Sequence, residues 1–258
     1  MTKYTPYAAS FVALALLSPT AAEAIVQVND AITAPEGLTG NVRFTINGQS
    51  GNKDEQEYGF DNLLRYRAHE TLIVFIGDYS YSETNSVRDE DELFAHLRWV
   101  ELNQFGDNID SEVFVQYQYD DFADLSRREL LGGNVRYRFD QQSEQNETQV
   151  ILGLGAFYEL EVSEATDLED SLIRANIYTR FVYDSKDTYP YSLYASAYFQ
   201  PALEDISDLR ALVVGGVKFP ILERVAVAFE IEVTHNATPF IDIEKTDVDY
   251  GISLSYEF

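Results

Sequence analysis

The 258 residues carry 44 acidic against 18 basic side chains, a formal net charge of −26, and no cysteine. Phosphate binding needs a basic surface, so nucleic acid is excluded as a partner. The absence of cysteine excludes a disulfide framework and a lipid-modified cysteine. Abundant Tyr and Phe with a single Met and a single Trp favour strands over helices.

Lys3 is followed by an uncharged segment from Tyr4 to Ala22, apolar from Phe11 to Leu17, and then by Ala22-Glu23-Ala24. This is the pattern of a signal peptide over residues 1–24, cleaved after Ala24. The alternative is a retained anchor helix, but the apolar run is too short to span a bilayer, and no later stretch approaches the ~18 apolar residues a transmembrane helix needs. Residues 25–37 read as a short lead. Residues 38–258 form one domain.

From Leu38 onward the chain divides into about twelve segments that alternate apolar and polar side chains with the period of a strand. They are expected over Gly40 to Gly48, Tyr58 to Ala68, Leu72 to Tyr81, Leu93 to Asn103, Val113 to Asp121 and Arg128 to Phe139. They continue over Val150 to Leu160, Ile173 to Tyr183, Leu193 to Phe199, Ala211 to Phe219, Val225 to Val233 and Val248 to Phe258. The fourth sets Leu97 and Trp99 against His96 and Arg98. The sixth sets Leu131, Val135, Tyr137 and Phe139 against Arg128, Asn134, Arg136 and Arg138.

In the last segment Val248, Tyr250, Ile252, Leu254, Tyr256 and Phe258 alternate with polar or small residues. The set Asp249, Gly251, Leu254, Tyr256 and Phe258 resembles the terminal signal by which outer-membrane barrels are recognised for insertion, which implies the barrel-assembly machinery as a partner. An even strand number returns the last strand beside the first, and closure leaves no unpaired edge. The expected fold is therefore all-β: a closed antiparallel transmembrane β-barrel in the outer membrane of a Gram-negative bacterium, surrounded by lipid. A soluble periplasmic β-protein is the alternative.

Connections after odd strands (Gln49 to Glu57, Ser82 to Glu92, Glu161 to Ser171, Ala202 to Asp208, Asn236 to Lys245) read as long, mostly acidic outer loops. Those after even strands (Ala68 to Thr71, Asp184 to Tyr189, Pro220 to Arg224) read as short turns, with Asp140 to Glu147 an exception. The acid of the outer loops serves solubility or weak divalent-cation binding. Tyr and Phe near strand ends suit an aromatic girdle, although aromatics also favour strands in general.

Two segments, Arg128-Glu129-Leu130-Leu131-Gly132-Gly133-Asn134-Val135-Arg136-Tyr137-Arg138-Phe139 and Gly153-Leu154-Gly155-Ala156-Phe157-Tyr158-Glu159, resemble the family of salt-induced outer-membrane proteins. That resemblance implies a location and a barrel fold, and no mechanism.

No catalytic, cofactor or metal site is indicated. His69, His96 and His235 show no metal-ligand spacing with another His or Cys. His235, beside Thr234 and Asn236 at a strand end, is the one candidate for an outer-membrane lipid hydrolase, without a serine motif to accompany it. The informative set is the polar face: Arg43, Arg65, Arg67, Arg98, Arg128, Arg136, Arg138, Arg174 and Arg180 with Asp61, Glu112, Glu159, Glu230, Glu232, Asp249 and Glu257. Turned inward, these charges make either a narrow anion-attracting channel or an interior plugged by mutual pairing. The size of a twelve-strand barrel does not decide between the two.

Overall fold

The computed structural model describes residues 36–51, 53–186, 188–222, 225–239 and 244–256. The signal peptide, nearly all of the lead, and Phe258 lie outside the described residues. Twelve strands form a single antiparallel sheet in chain order. They are β1 (Gly37–Gln49), β2 (Glu55–Ala68), β3 (Thr71–Thr84), β4 (Val87–Glu101), β5 (Ile109–Asp120), β6 (Leu125–Gln142), β7 (Asn146–Ser163), β8 (Glu169–Ser185), β9 (Tyr191–Pro201), β10 (Leu209–Leu222), β11 (Val225–Asn236) and β12 (Thr246–Tyr256). A short 3₁₀ turn, Asp121–Ala123, joins β5 to β6, with the Asp120 carboxylate capping the amides of Phe122 and Ala123. Among the described residues no ladder joins β12 to β1.

The ladders climb as they proceed. Stepping between register partners, Ala68 leads through Thr71, Glu101, Ser111, Val135, Leu154, Ile177, Phe199, Ala211 and His235 to Thr246. This path starts at the last residue of β2 and ends at the first residue of β12. Calling the ends of the odd strands the upper rim, it runs from the lower rim to the upper one.

The sheet is also curled over its polar face. Tyr178 on β8 donates to Glu112 on β5 at 2.9 Å, and Arg210 on β10 donates to Glu161 on β7 at 2.6 Å. In a flat sheet strands three apart are separated by about 14 Å, farther than either pair of side chains reaches. Glycines admit the larger inner residues. A Cβ on Gly153 would lie 2.0 Å from the Tyr178 ring, and one on Gly216 would lie 2.3 Å from that of Tyr194.

Alternation therefore sorts side chains in the inverse of the soluble pattern. Along β6 the buried positions are Leu125, Arg128, Leu130, Asn134 and Arg136, while Leu131, Val135, Tyr137 and Phe139 are exposed. Along β7, Leu152, Leu154 and Tyr158 are exposed and Glu159 is buried. The interior also contains apolar clusters: Leu72, Val74, Val100 and Leu102 near the lower end of β3–β4, and Ile151, Tyr178, Tyr198, Leu212 and Val214 across β7–β10.

Aromatic residues with a polar tip bracket the exposed apolar face. Near the upper rim the hydroxyls of Tyr58, Tyr81 and Tyr119 donate to Gln56, Glu83 and Asp91, and near the lower rim Trp99 Nε1 donates to Glu101 at 2.6 Å. Every tip points away from the middle of the sheet. Trp99 faces Ile73 in the register, so the band from Ile73 to Tyr81 on β3 measures about 27 Å along the strand.

The strands are longer than expected, and the loop asymmetry is weaker than expected: the connections after odd strands run from 85–86 to 237–245, and those after even strands from 69–70 to 102–108. The expected acidic loop Ser82 to Glu92 is mostly ladder, closed by the two residues Asn85 and Ser86 with φ of 50° and 64°, a turn whose twist matches its flanking strands. Glu161 to Ser171 and Asp140 to Glu147 likewise shrink to residues 164–168 and 143–145. Acidic residues stay in the ladder because their side chains point into water or inward while the backbone pairs. The connection Leu102–Asn108, at the lower rim, is tied down by the Asp110 carboxylate on the Asn103 amide and by Asn103 Oδ1 on the Asn108 amide.

Candidate functional site

The inner face of β4 to β10 gathers the polar residues into two clusters. The upper one lies near the starts of β6, β8 and β10 and the end of β7. Arg128 binds Glu159 through Nε at 2.8 Å and Nη2 at 2.5 Å, and its Nε stands 3.0 Å from Glu161. Arg174 binds the second oxygen of Glu159 through Nε and grips both carboxylate oxygens of Asp208 at 2.9 and 3.0 Å. Arg210 holds Glu161 at 2.6 and 2.7 Å. Three guanidiniums face three carboxylates. Arg128, Arg174 and Glu159 are buried to 1% exposure or less, a position that charges keep only when paired and hydrogen-bonded.

The lower cluster is built on Asp110 and Glu112. Arg136 Nε and Arg138 Nε both donate to Asp110, at 2.9 and 2.7 Å. Glu112 accepts from Asn134 at 2.6 Å, Tyr178 at 2.9 Å and Arg136 at 3.3 Å, with Arg98 at 3.5 Å. An amide relay, Gln200 to Asn176 to Asn134, continues it toward β9. Between the two clusters lie Phe114, Leu130 and Phe157.

Two paths join the clusters: one through Gln200, whose carbonyl accepts from Arg174 Nη1 at 3.4 Å, and one through His96, which is 2% exposed. Arg128 Nη1 and Gln116 Nε2 share Gln118 Oε1 at 3.3 and 2.9 Å. His96 Nδ1 lies 3.2 Å from Gln116 Oε1, and Arg98 Nε donates to His96 Nε2 at 3.3 Å. The ring stacks between Phe94 and Phe114. A guanidinium can only donate, so Nε2 carries the lone pair and Nδ1 the proton.

Of the charges expected inside, Arg98, Arg128, Arg136, Arg174, Arg180, Glu112 and Glu159 are buried there. Arg138 is half-buried in the lower cluster. Arg65, Arg67, Asp61 and Glu232 are half-buried on their strands, and Glu230 is exposed, accepting from Tyr194 at 2.6 Å. Arg43 stands opposite Asp61 in the register, but its side chain lies outside the described residues, as does Glu257. Of the terminal set, Asp249 is half-buried and Gly251 exposed on β12; the side chains of Leu254 and Tyr256, and all of Phe258, lie outside the described residues. Asp110, Glu161 and Arg210 were not expected, because each falls just beyond a strand end drawn too short. For Asp110 and Glu161 the signal was present, since they continue the polar parity of Glu112 and Glu159; for Arg210 it was not, because its inner neighbours Leu212 and Val214 are apolar.

Elsewhere the inner face of β2–β5 carries the half-buried acids Glu57, Asp61, Asp78, Glu90, Glu92 and Asp120. Among the described residues no group of three or more His, Cys, Asp or Glu is placed to hold a metal ion. His235 lies in β11 with Nδ1 at 2.8 Å from Thr246 Oγ1. In the upper connections the Ser207 hydroxyl and amide hold the Asp205 carboxyl below its ordinary range, and the Ser50 hydroxyl and the Gly51 amide do the same for Asp54.

No helix among the described residues is long and apolar enough to cross a membrane. The comparison with curated proteins returns no match. A family described as a protein of unknown function, DUF481, matches residues 42–258, and with most of the chain covered, the protein belongs to that family.

Proposed function

We propose that the protein is exported with cleavage after Ala24, closes into a twelve-strand barrel in the bacterial outer membrane, and serves there as an envelope-structural barrel whose lumen is shut by ion pairs. The observation that carries the functional part is the pairing of the inner charges: Arg128, Arg174 and Arg210 against Glu159, Glu161 and Asp208 above, and Arg98, Arg136 and Arg138 around Asp110 and Glu112 below. Rows of free arginine would attract anions; arginines occupied by carboxylates leave no such field.

Closure is supported by the climb of the ladders. For the top of β1 to meet the top of β12, the sheet must rise by the 13 residues of β1, about 43 Å over a perimeter of about 57 Å for twelve strands. That slope, about 37°, falls within the tilt that closed barrels adopt. The membrane is supported by the apolar outer face. Its band of about 27 Å along a strand tilted in this way stands about 21 Å tall, close to the belt of outer-membrane barrels, with aromatic tips at both margins as at a lipid–water boundary. The likeness of residues 128–139 and 153–159 to salt-induced outer-membrane proteins agrees with this location.

Planar-bilayer recording of the purified protein tests the function. A sealed lumen gives no unitary conductance; discrete anion-preferring channels, diminished by Arg136→Ala with Arg138→Ala, would replace this reading with a narrow channel. Fractionation tests the location, because recovery in the periplasmic extract without detergent would make it a soluble β-protein.

A further inference from the structure

Within the ladders an inner glycine is filled by the residue that faces it: Thr45 stands over Gly59, Phe157 over Gly132, Tyr178 over Gly153, Asn134 over Gly155 and Tyr194 over Gly216. Polar side chains meet across such a notch. Asn176 reaches Asn134 across Gly155 at 3.0 Å, and Tyr194 reaches Glu230 across Gly216 at 2.6 Å. Gly251, in the middle of β12, is different, because a Cβ there would have nothing within 4 Å. It faces Glu230 on β11, and its other side is the edge of β12 that has no ladder among the described residues.

We infer that β12 closes on β1 in the register that sets Arg43 opposite Gly251, where Arg43 serves Glu230 across the notch. This rests on the closed barrel proposed above and adds which residues meet at its seam. The strands β11 and β12 contain carboxylates and no lysine or arginine, and β1 contains a single cation, Arg43. The ladders place Arg43 on the inner face, opposite Asp61 and in line with Asp78 and the buried Phe94. Glu230 then has a tyrosine on one side and an arginine on the other, both of them donors. Because Glu230 is exposed, the pair adds little to stability; its effect is to select the register.

Few registers are open to the seam. Opposed residues share a face, and a slip of one residue would turn β1 inside out, so the rise of the sheet is one residue short of the 13 in β1, one beyond them or three beyond them. The first sets Arg43 opposite Gly251, with a slope of about 35° that lies at the lower end of the range for closed barrels, and shorter rises fall below it. The other two set the uncharged Thr45 or Asn47 there. Of the three, the first alone pairs the whole of β12, with residues 38–48 against Thr246–Tyr256. On the outer face it lays Val42, Phe44 and Ile46 beside Ile252, Tyr250 and Val248, covering the flanks that leave Phe44 72% and Tyr250 84% exposed.

The chain has no cysteine, so pairs introduced into the detergent-folded protein report the register directly. Asn47→Cys is combined in turn with Asp247→Cys, Asp249→Cys and Gly251→Cys, its partners in the three registers in the order given. Oxidation should close an intramolecular disulfide fastest in the first pair, seen as a gel shift that reduction reverses. A faster disulfide in either of the other pairs keeps the closed barrel and overturns this register. Disulfides between copies, or none in any pair, overturn closure and register together. The role of Arg43 is read separately: carbodiimide treatment of Arg43→Lys should join the introduced amine to Glu230, identified by mass spectrometry of the digested protein and lost on adding Glu230→Gln. Coupling to Asp61 alone would overturn the assignment of Arg43 to Glu230.

Discussion

The middle of the sheet buries its charges in pairs, and its far end leaves them less covered. On β6 and β7 Arg128, Arg136 and Glu159 are buried almost completely, whereas on β11 Glu230 is exposed and on β12 Asp249 is only half-buried. Two things differ: β11 and β12 carry acids but no arginine, and among the described residues β12 has fewer neighbours. A residue on β7 has strands on both sides and, because of the curl, β10 in front of it, so Glu161 meets Arg210. Among the described residues one on β12 has a single ladder, to β11, and neither strand carries an arginine. Pairing of charges thus needs an arginine within reach as well as curvature and flanking strands. The ion pairs in turn hold the curl, because Arg210–Glu161 and Tyr178–Glu112 form only when strands three apart approach. Buried pairs add little net stability over well-packed apolar replacements, and their contribution here is to geometry.

Removing one partner where the wall is packed should have the largest effect. Glu159→Ala leaves Arg128 and Arg174 short of their shared carboxylate and should cost about 3–5 kcal/mol, read by denaturant titration of the single tryptophan, Trp99. Glu230→Ala on β11 should leave the same transition unmoved. Equal losses would erase the distinction between middle and ends. Gly153→Val comes next: its side chain enters the space of the Tyr178 ring and should cost about 1–3 kcal/mol, and more if that ring has no second rotamer. Tyr178→Phe removes only the hydroxyl that Glu112 accepts and should cost about 1.5–3 kcal/mol, with looser exchange protection of β5 and β8 as its mark. The smallest effect belongs to the rim. Ser207→Ala withdraws the hydroxyl that Asp205 accepts, so the Asp205 titration point, followed by NMR, should rise toward the ordinary carboxylate value; no movement would detach Asp205 from Ser207.

These outcomes bear on what a sequence can convey. Alternation in Arg128 to Phe139 was enough to place four charged or amide side chains on one face and four apolar ones on the other, and strand number and order follow from twelve such segments. Strand ends were less legible, because near the rims a ladder tolerates acid and the alternation is no longer between apolar and polar. Ser82 to Glu92 reads as a loop for that reason, and Asp110, Glu161 and Arg210 drop out of the site with it. Partners were not legible at all. That Tyr178 meets Glu112, or Arg174 meets Asp208, depends on the amount of curl, which no local pattern encodes. His96 was visible as a polar-face residue, but its position between two arginine systems was not.

The hydrogen bond from Tyr178 to Glu112 spans 66 residues, whereas each ladder joins strands adjacent in the chain. The sheet can therefore assemble as successive hairpins with small loop-closure entropy, each new strand adding to the one before. The contacts that bend the ribbon come later, once β5 and β8 both exist, and they carry the long sequence separation. Among the ladders and side-chain bonds described above, bending is the part of the architecture that rests on long sequence separation, and the tyrosine seated over Gly153 is one of the contacts that carry it.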